Sequence, residues 1–556
     1  LSPLASRSKE LPPKSLKPEK IENRSQKVAL ADRALLIVAG IALVSGLVRF
    51  VVARHLELFQ DEALYWYIGV HAPLTFSPHP PGTPLLARLG AAVLGRTEIA
   101  IRLGSVVLGS LVLFPFYFLG RRILGTSAAL WATVAFALTP MYFGFGTICT
   151  PDMPQLFIWC TLLYAAWRAL EEDSDSWWIA TWLILGIGLY FKYILILFVP
   201  ALVLYLSWVG LLRRTMNSRG FWIGIALCIL VFFPLAIWRE ASTGWQAIQY
   251  HLEDRQKWTP DNLKSIVIYF GIHLGYYSPL LYLGMIWGLV WCARRARKTH
   301  DWRSAFLASF GLAPWIFFLV IAFFTKRELS REQWDAPAYV CGLLAASHWA
   351  HTWLQDKSLR VPLLWRKGLV VGALGLSGLT VIGAVLEAMT GLPSRITGHQ
   401  PLFSTMIGWR TMARRVDALV AAQEPNRPLV FLGNSFVPAL QYAFYGQQQI
   451  PVFTLNHSAN KKFGLQRLLG ELQVDLQALL QRKGTDAIFV AEGELTDDTN
   501  RKLDSLRKRL LRFFENVEPL PPVDIAGNAK QKRFYVLVCQ RLYLKKADTE
   551  ISPPQP

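Results

Sequence analysis

Between residues 34 and 388 the chain carries one apolar run after another, each about 18 or more residues long, enough to cross the roughly 30 Å hydrocarbon core of a bilayer. Backbone polar groups at that depth have to be satisfied within the segment, so the runs are expected to be helices. We place eleven spans, at 34–53, 99–120, 127–146, 154–170, 177–190, 193–211, 221–238, 267–293, 305–324, 337–354 and 368–388. Composition agrees: 53% of residues are hydrophobic and 17% charged, with 21 Trp and 32 Phe, which argues against a purely soluble or a disordered chain. The expected fold is an α-helical polytopic membrane protein with a C-terminal extracytoplasmic α/β domain.

Charge sets the orientation. The basic, proline-containing tail 1–33 is expected to be disordered and cytoplasmic, and it does not read as a cleavable signal peptide. Alternation then puts Arg121–Arg122, Arg213–Arg214, Arg294 to Lys298 and Lys357 to Lys367 on the same side, as the positive-inside rule requires, and leaves the C-terminus outside. The net charge of +20 is absorbed by these loops, so nucleic acid is not an expected partner; membrane lipids are. The six cysteines have neither CxxC nor zinc-ligand spacing and suggest neither a metal site nor a disulfide framework. We divide the chain into the tail 1–33, a membrane domain 34–390 whose first external loop is 54–101, an outer α/β domain 391–545 and a frayed tail 546–556. In the outer domain, apolar strands at 429–432, 451–455, 487–491 and 534–539 alternate with helical patterns at 465–480 and 503–514. It has no GxGxxG or P-loop motif.

The external loops collect the ionisable residues that a membrane disfavours: Asp61 and Glu62 after the first span, Asp152 between the third and fourth, and Lys192 in a tight hairpin between the fifth and sixth. Their convergence on one face marks a polar cavity. The first external loop is expected to hold two interfacial helices, with Tyr65, Trp66 and Tyr67 as belt residues and His79-Pro80-Pro81-Gly82 between them. Asp152 has several readings: it orients an acceptor, binds sugar hydroxyls, completes a metal site or caps a helix N-terminus. Lys192 either meets a phosphate or snorkels to the interface. Arg239, Arg255 and Lys257, with Lys326, Arg327 and Arg331, put positive charge where positive-inside predicts little, which suits a phosphate partner or anionic headgroups. Glu62 with His79 is a candidate pair for a divalent metal ion, and His251 with Glu253 a weaker one. Trp334 and Tyr339 either shape the cavity or belong to the aromatic belt.

The segment Gln60-Asp61-Glu62-Ala63-Leu64-Tyr65-Trp66, followed by His79-Pro80-Pro81, resembles the first external loop of GT-C polyprenyl-phosphate-sugar glycosyltransferases. The similarity is to the bacterial branch related to protein O-mannosyltransferases and the lipid A aminoarabinose transferase. Thr150-Pro151-Asp152-Met153-Pro154, Phe191-Lys192-Tyr193, Gly244-Trp245, Tyr277-Ser278-Pro279 and Gln333 to Tyr339 follow in the family's order. Trp238-Arg239 lacks the Asn that often follows this Trp, and Gln333 stands where a His is common.

The resemblance implies an undecaprenyl-phosphate-linked sugar as donor and an acceptor that is lipid A, lipopolysaccharide core or a protein Ser/Thr. It implies Asp61 as the base for the acceptor hydroxyl, with Glu62 and Asp152 beside it, and Lys192, Arg255, Lys326, Arg327 and Arg331 around the donor phosphate. Tyr65, His79, Trp334 and Tyr339 line the acceptor cavity in this reading. A single displacement assisted by one base inverts the anomeric centre. The competing class is a transporter of lipid-linked sugars; the absence of an internal repeat and the gathering of carboxylates on one face argue against it.

Overall fold

The structure, a computed structural model, describes residues 24–72, 79–242, 244–245, 262–324, 332–399, 401–423, 427–460, 465–495, 498–525 and 532–543. Arg255, Lys326, Arg327 and Arg331, with His251, Glu253 and Lys257, lie outside them.

The membrane domain is a helical bundle. Helix α1 (Arg24–His55) leads into α2 (Gln60–His71) and α3 (Gly82–Leu94), which are the two short helices expected in the first loop. Then come α4 (Glu98–Leu111), α5 (Leu113–Leu124), α6 (Thr126–Ala137), α7 (Pro140–Phe145), α8 (Asp152–Glu172), α9 (Asp175–Leu189) and α10 (Phe198–Val209). The later long helices are Arg219–Ser242, Trp302–Phe324, Ala336–Gln355 and Leu363–Thr390. Among the described residues five helices are long and apolar enough to cross a membrane, counting α4 and α5 as the one stretch Glu98–Leu124, with a sixth if a bent pair counts as one. The other expected spans fall on shorter or more polar helices. One of these, α8, is sheathed by its neighbours, and its Trp159 and Trp167 are fully buried.

Two expected spans are broken. The run 267–293 is two helices, Asn262–Tyr277 and Pro279–Thr299, bent by 110° at Ser278, whose φ of 68° and following proline stop the first helix. The run 127–146 divides at Thr139-Pro140 into α6 and α7. The aromatic belt in the first loop is also corrected. Tyr65, Trp66 and Tyr67 are 3%, 6% and 9% exposed, because the outer domain packs over them, with Phe444 edge-on to Trp66 at 5.0 Å.

In the outer domain β1 (Leu429–Gly433), β2 (Val452–Thr454), β3 (Asp486–Glu494), β4 (Phe514–Pro519), β5 (Val523–Ile525) and β6 (Lys532–Leu542) form one sheet. Its order is β2-β1-β3-β6-β4, with β5 on β6. The pairs β1–β2 and β1–β3 are parallel, and β6 is antiparallel to β3, β4 and β5. The helix expected at 465–480 is two, Leu465–Glu471 and Leu476–Leu480; Asp475 accepts from the Ala478 N–H at 3.0 Å and starts the second. Strand alternation divides the core. Phe431, Ile488, Val490 and Val536 pack with helices Trp409–Ala421 and Phe436–Tyr445 and with α2, whereas Leu432, Phe489 and Leu537 pack with Leu506 and Leu510 of helix Thr499–Leu510. The first face therefore joins the outer domain to the helix carrying Asp61.

Candidate active site

Asp61 and Glu62 are neighbours in sequence, but a helix separates successive side chains by about 100° and gives them different surroundings. Glu62 is fully buried beneath the α1–α2 turn. Arg102 of α4 donates through Nε to Glu62 Oε1 at 2.8 Å and through Nη2 to Oε2 at 2.6 Å. Oε1 also accepts from the Cys149 N–H at 2.6 Å, and Oε2 from the Phe59 N–H at 2.8 Å, so Glu62 reaches back from the third position of α2 to the backbone that precedes the helix. Arg102 further donates to the carbonyls of Ala53, Leu56 and Glu57 at 2.6 to 2.8 Å, so one guanidinium ends α1 and begins α2. Both oxygens of Glu62 carry two hydrogen bonds each, and its charge is already neutralised. The expected Glu62–His79 metal pair does not fit this geometry. Among the described residues no group of three or more His, Cys, Asp or Glu gathers to hold a metal.

Asp61 shares its face of α2 with Tyr65, one turn on. Burial, and then the Asp61 and Asp152 carboxylates, hold the Tyr65 hydroxyl well above its ordinary pKa. The His79 ring stands edge-on to Tyr65 at 5.8 Å. Asp152 opens α8 without capping it: Pro151 occupies the cap position, and the carboxylate accepts from Lys192 Nζ at 2.5 Å. The N-terminal location still favours its negative charge. Lys192 therefore does not snorkel away to the interface; it is half-buried against Asp152.

The hairpin bearing Lys192 is docked on the proline turn of the first loop. The Gly82 N–H donates to the Tyr190 carbonyl at 2.8 Å, and a Cβ on Gly82 would stand 2.6 Å from the Phe191 ring, so only glycine permits this approach. Beside it Pro80, Pro81, Tyr190, Tyr193, Phe232 and Arg239 line a crevice. Arg239 is buried and bonds to the Tyr193 hydroxyl and, at 3.0 Å, to Glu240. Asp61, Tyr65, His79, Asp152 and Lys192 thus converge on one end of the bundle.

Trp334 and Tyr339 flank Asp335, which gathers Tyr269 and His273, two residues that sequence reasoning missed. Asp335 is buried and accepts from Tyr339 at 2.8 Å and from Tyr269, while the His273 Nε2 lies 2.9 Å from it. The His273 Nδ1 lies 2.7 Å from the Tyr269 carbonyl. Trp334 is half-buried, edge-on to Phe318. The available signal was an ionisable pair, His273 and Asp335, inside and at the edge of apolar runs.

Residues 78–238 match the family described as dolichyl-phosphate-mannose-protein mannosyltransferase. Most of the chain superposes on crystal structures of ArnT from Cupriavidus metallidurans. The form bound to undecaprenyl phosphate gives a TM-score of 0.61 at 14% identity, covering 94% of this chain and 99% of that one. The apo form gives 0.60 at 16%, covering 91% and 97%. This chain has an ArnT-like GT-C fold. A curated relative, the undecaprenyl phosphate-alpha-4-amino-4-deoxy-L-arabinose arabinosyl transferase of Edwardsiella ictaluri, is 26% identical over 356 residues, 61% of this chain and 60% of its own. The corresponding protein of Erwinia tasmaniensis is 24% identical over 267 residues, 46% and 47%. The ArnT-like chain thus aligns with three fifths or less of these curated relatives. It is a multi-pass membrane protein, and its candidate site lies at the end of the bundle that the outer domain covers.

Proposed function

We propose that this chain is a polyprenyl-phosphate-sugar-dependent glycosyltransferase. It takes a sugar from undecaprenyl phosphate and passes it to lipid A or lipopolysaccharide core on the periplasmic face of a bacterial inner membrane, with its N-terminus in the cytoplasm. The observation that carries the reading is the convergence of Asp61 with Tyr65, His79 and the Asp152–Lys192 pair at one end of a GT-C fold. Asp61 accepts the proton of the acceptor hydroxyl as that oxygen forms a bond to C1 of the sugar. The C1–O bond to the phosphate breaks with its electron pair, and undecaprenyl phosphate leaves. Phosphate is a good leaving group and needs cationic stabilisation more than a strong acid, which Lys192 supplies. Asp152 holds that ammonium in place. With one base and one displacement, the anomeric centre inverts. Arg255, Lys326, Arg327 and Arg331 are proposed to complete the phosphate surroundings. No step is assigned to a metal ion.

The family match over residues 78–238 favours a second reading, in which the acceptor is a protein Ser or Thr hydroxyl. Intact lipid A, lipopolysaccharide and envelope glycoproteins from a deletion strain complemented with wild type or Asp61→Ala separate the readings by mass. The expected result is a sugar-sized mass on the lipid that only wild type restores. An unchanged lipid with lost protein glycans transfers the assignment to protein, and no change anywhere sinks the enzyme reading. In vitro, Asp61→Ala is expected to slow transfer by roughly 10²–10⁴-fold. An acceptor phosphate is already ionised and needs no base, so a small effect with a phosphate acceptor would remove Asp61 from the base role.

A further inference from the structure

The outer domain grips the turn that carries Asp61, and it does so through groups placed to match two helix dipoles. Glu57, in the turn between α1 and α2, presents its carboxylate to the N-terminus of helix Trp409–Ala421; Oε2 accepts from the Trp409 N–H at 2.6 Å and Oε1 from the Arg410 N–H at 3.4 Å. That helix begins at Gly408, which has no side chain to cap it, so the cap comes from the membrane domain. Arg96, in the turn between α3 and α4, does the opposite job. It donates to the Ala443 and Gly446 carbonyls, at 3.3 and 3.0 Å, at the C-terminus of helix Phe436–Tyr445. An anion at one helix start and a cation at another helix end are both favourable.

Between them, the backbone of Leu58 is held at both polar atoms. Its N–H donates to the Tyr445 hydroxyl at 2.7 Å, and its carbonyl accepts from Gln441 Nε2 at 2.9 Å. Arg410 pairs with Glu98 of α4. Arg102 also binds the Leu56 and Glu57 carbonyls, so residues 56–58 are clamped between the bundle and the outer domain three to five positions before Asp61.

We propose that the outer domain is a positioning element of the transfer reaction: Glu57, Tyr445 and Gln441 fix the α1–α2 turn and thereby aim Asp61 at the acceptor. Their hydrogen bonds are spent on the turn and on the start of helix Trp409–Ala421, so they act through Asp61 and not on the reacting groups. A free turn would leave the base mispositioned by about an ångström, which lowers turnover without removing the binding groups on α8 and the Lys192 hairpin. The proposal rests on the transferase reading above.

The test uses full-length protein in nanodiscs, comparing wild type, Glu57→Ala, Glu57→Gln, Tyr445→Phe and Leu506→Ala. Leu506 lies in the core on the far side of the sheet, so its truncation loosens the outer domain without touching the clamp. Hydrogen exchange is read on the peptide covering residues 56–66. Transfer is read with undecaprenyl phosphate 4-amino-4-deoxy-L-arabinose as donor and lipid A as acceptor. Glu57→Ala and Tyr445→Phe are expected to speed exchange in that peptide and to lower kcat on the order of tenfold to a hundredfold with donor KM unchanged. Glu57→Gln, which keeps an oxygen for the Trp409 N–H, recovers part of both losses, and Leu506→Ala shows neither. Exchange and kcat at wild-type values in the clamp variants overturn the proposal, as does a Leu506→Ala effect equal to theirs. If wild type transfers nothing with these substrates, that choice of substrates fails while exchange still decides the clamp: unchanged protection overturns it, and loss confined to the clamp variants supports it.

Discussion

At the scale of single residues the Asp61-Glu62 pair is the sharpest lesson. In sequence the two carboxylates stand side by side and both are placed at the site, Asp61 as the base and Glu62 as a candidate metal ligand. The helix turns them apart: Asp61 faces the Tyr65 and Asp152 side, and Glu62 is locked to Arg102 with no exposed surface on either side chain. The legible clue was Arg102, an arginine inside the apolar run 99–120, because a buried cation at membrane depth needs a counter-charge. Arg49, inside the first span, was another. It is buried, donates to the Gly109 carbonyl at 2.7 Å and lies against Gly146, where any Cβ would collide with it. Breaking a buried ion pair costs far more than never having built it. Glu62→Gln is therefore expected to destabilise the protein by about 3–5 kcal/mol, by stranding the Arg102 charge. Thermal unfolding in detergent reads this as a large drop in Tm, and replacing both partners together (Glu62→Leu with Arg102→Met) should recover part of it. A Glu62→Gln protein as stable as wild type would show that the pair does not hold the turn.

At the scale of elements, apolar run length located the helices well and their breaks poorly, since hydropathy is blind to backbone conformation. Tyr277-Ser278-Pro279 stands out as a motif, yet the run 267–293 reads as one span because its residues stay apolar on both sides of the bend. The four outer-domain strands read from short apolar segments are all in the sheet, whereas β4 and β5 are partly exposed and polar enough to hide. Ser278 sits at φ 68° and ψ 135°, a conformation that suits glycine and costs other residues about 1–3 kcal/mol. Its hydroxyl is buried without a hydrogen bond among the described residues. Ser278→Gly is expected to raise stability by roughly 1 kcal/mol, and by more than Ser278→Ala, which sheds the hydroxyl but keeps the strained backbone. Denaturation midpoints of the two variants separate the contributions, and equal midpoints would remove backbone strain as the cause. His273, five residues before that bend, meets Asp335 62 positions further along the chain, a separation that hides the pair from any local reading of the sequence.

For the whole molecule, orientation rests on an asymmetry that sequence and structure describe from different sides. Loop charges alone put Arg121–Arg122, Arg213–Arg214 and Arg294 to Lys298 at one end, and left the acidic loop 171–176 uninformative. The structure gives that loop a purpose. Arg122 pairs with Glu171, Arg168 with Glu172, and Arg214 with Asp173 at 2.6 Å, so one end of the bundle is ringed by ion pairs linking three helix ends. Exposed pairs of this kind contribute little stability each, but they hold neighbouring helix ends in register. The opposite end is covered by the outer domain and bears Asp61, Asp152 and Lys192. If the basic end faces the cytoplasm, Lys357 and Lys508, both exposed, lie on opposite sides of the membrane. All six native cysteines are buried, so single cysteines placed at these positions report with little background. A membrane-impermeant maleimide added to intact spheroplasts is expected to label Lys508→Cys and to reach Lys357→Cys only after lysis. The reverse pattern would put the site on the cytoplasmic face, where the donor and acceptor proposed above would have to be sought on the other leaflet. Labelling of both before lysis would mean that the number of crossings between them is even, which overturns the topology while leaving the site geometry intact.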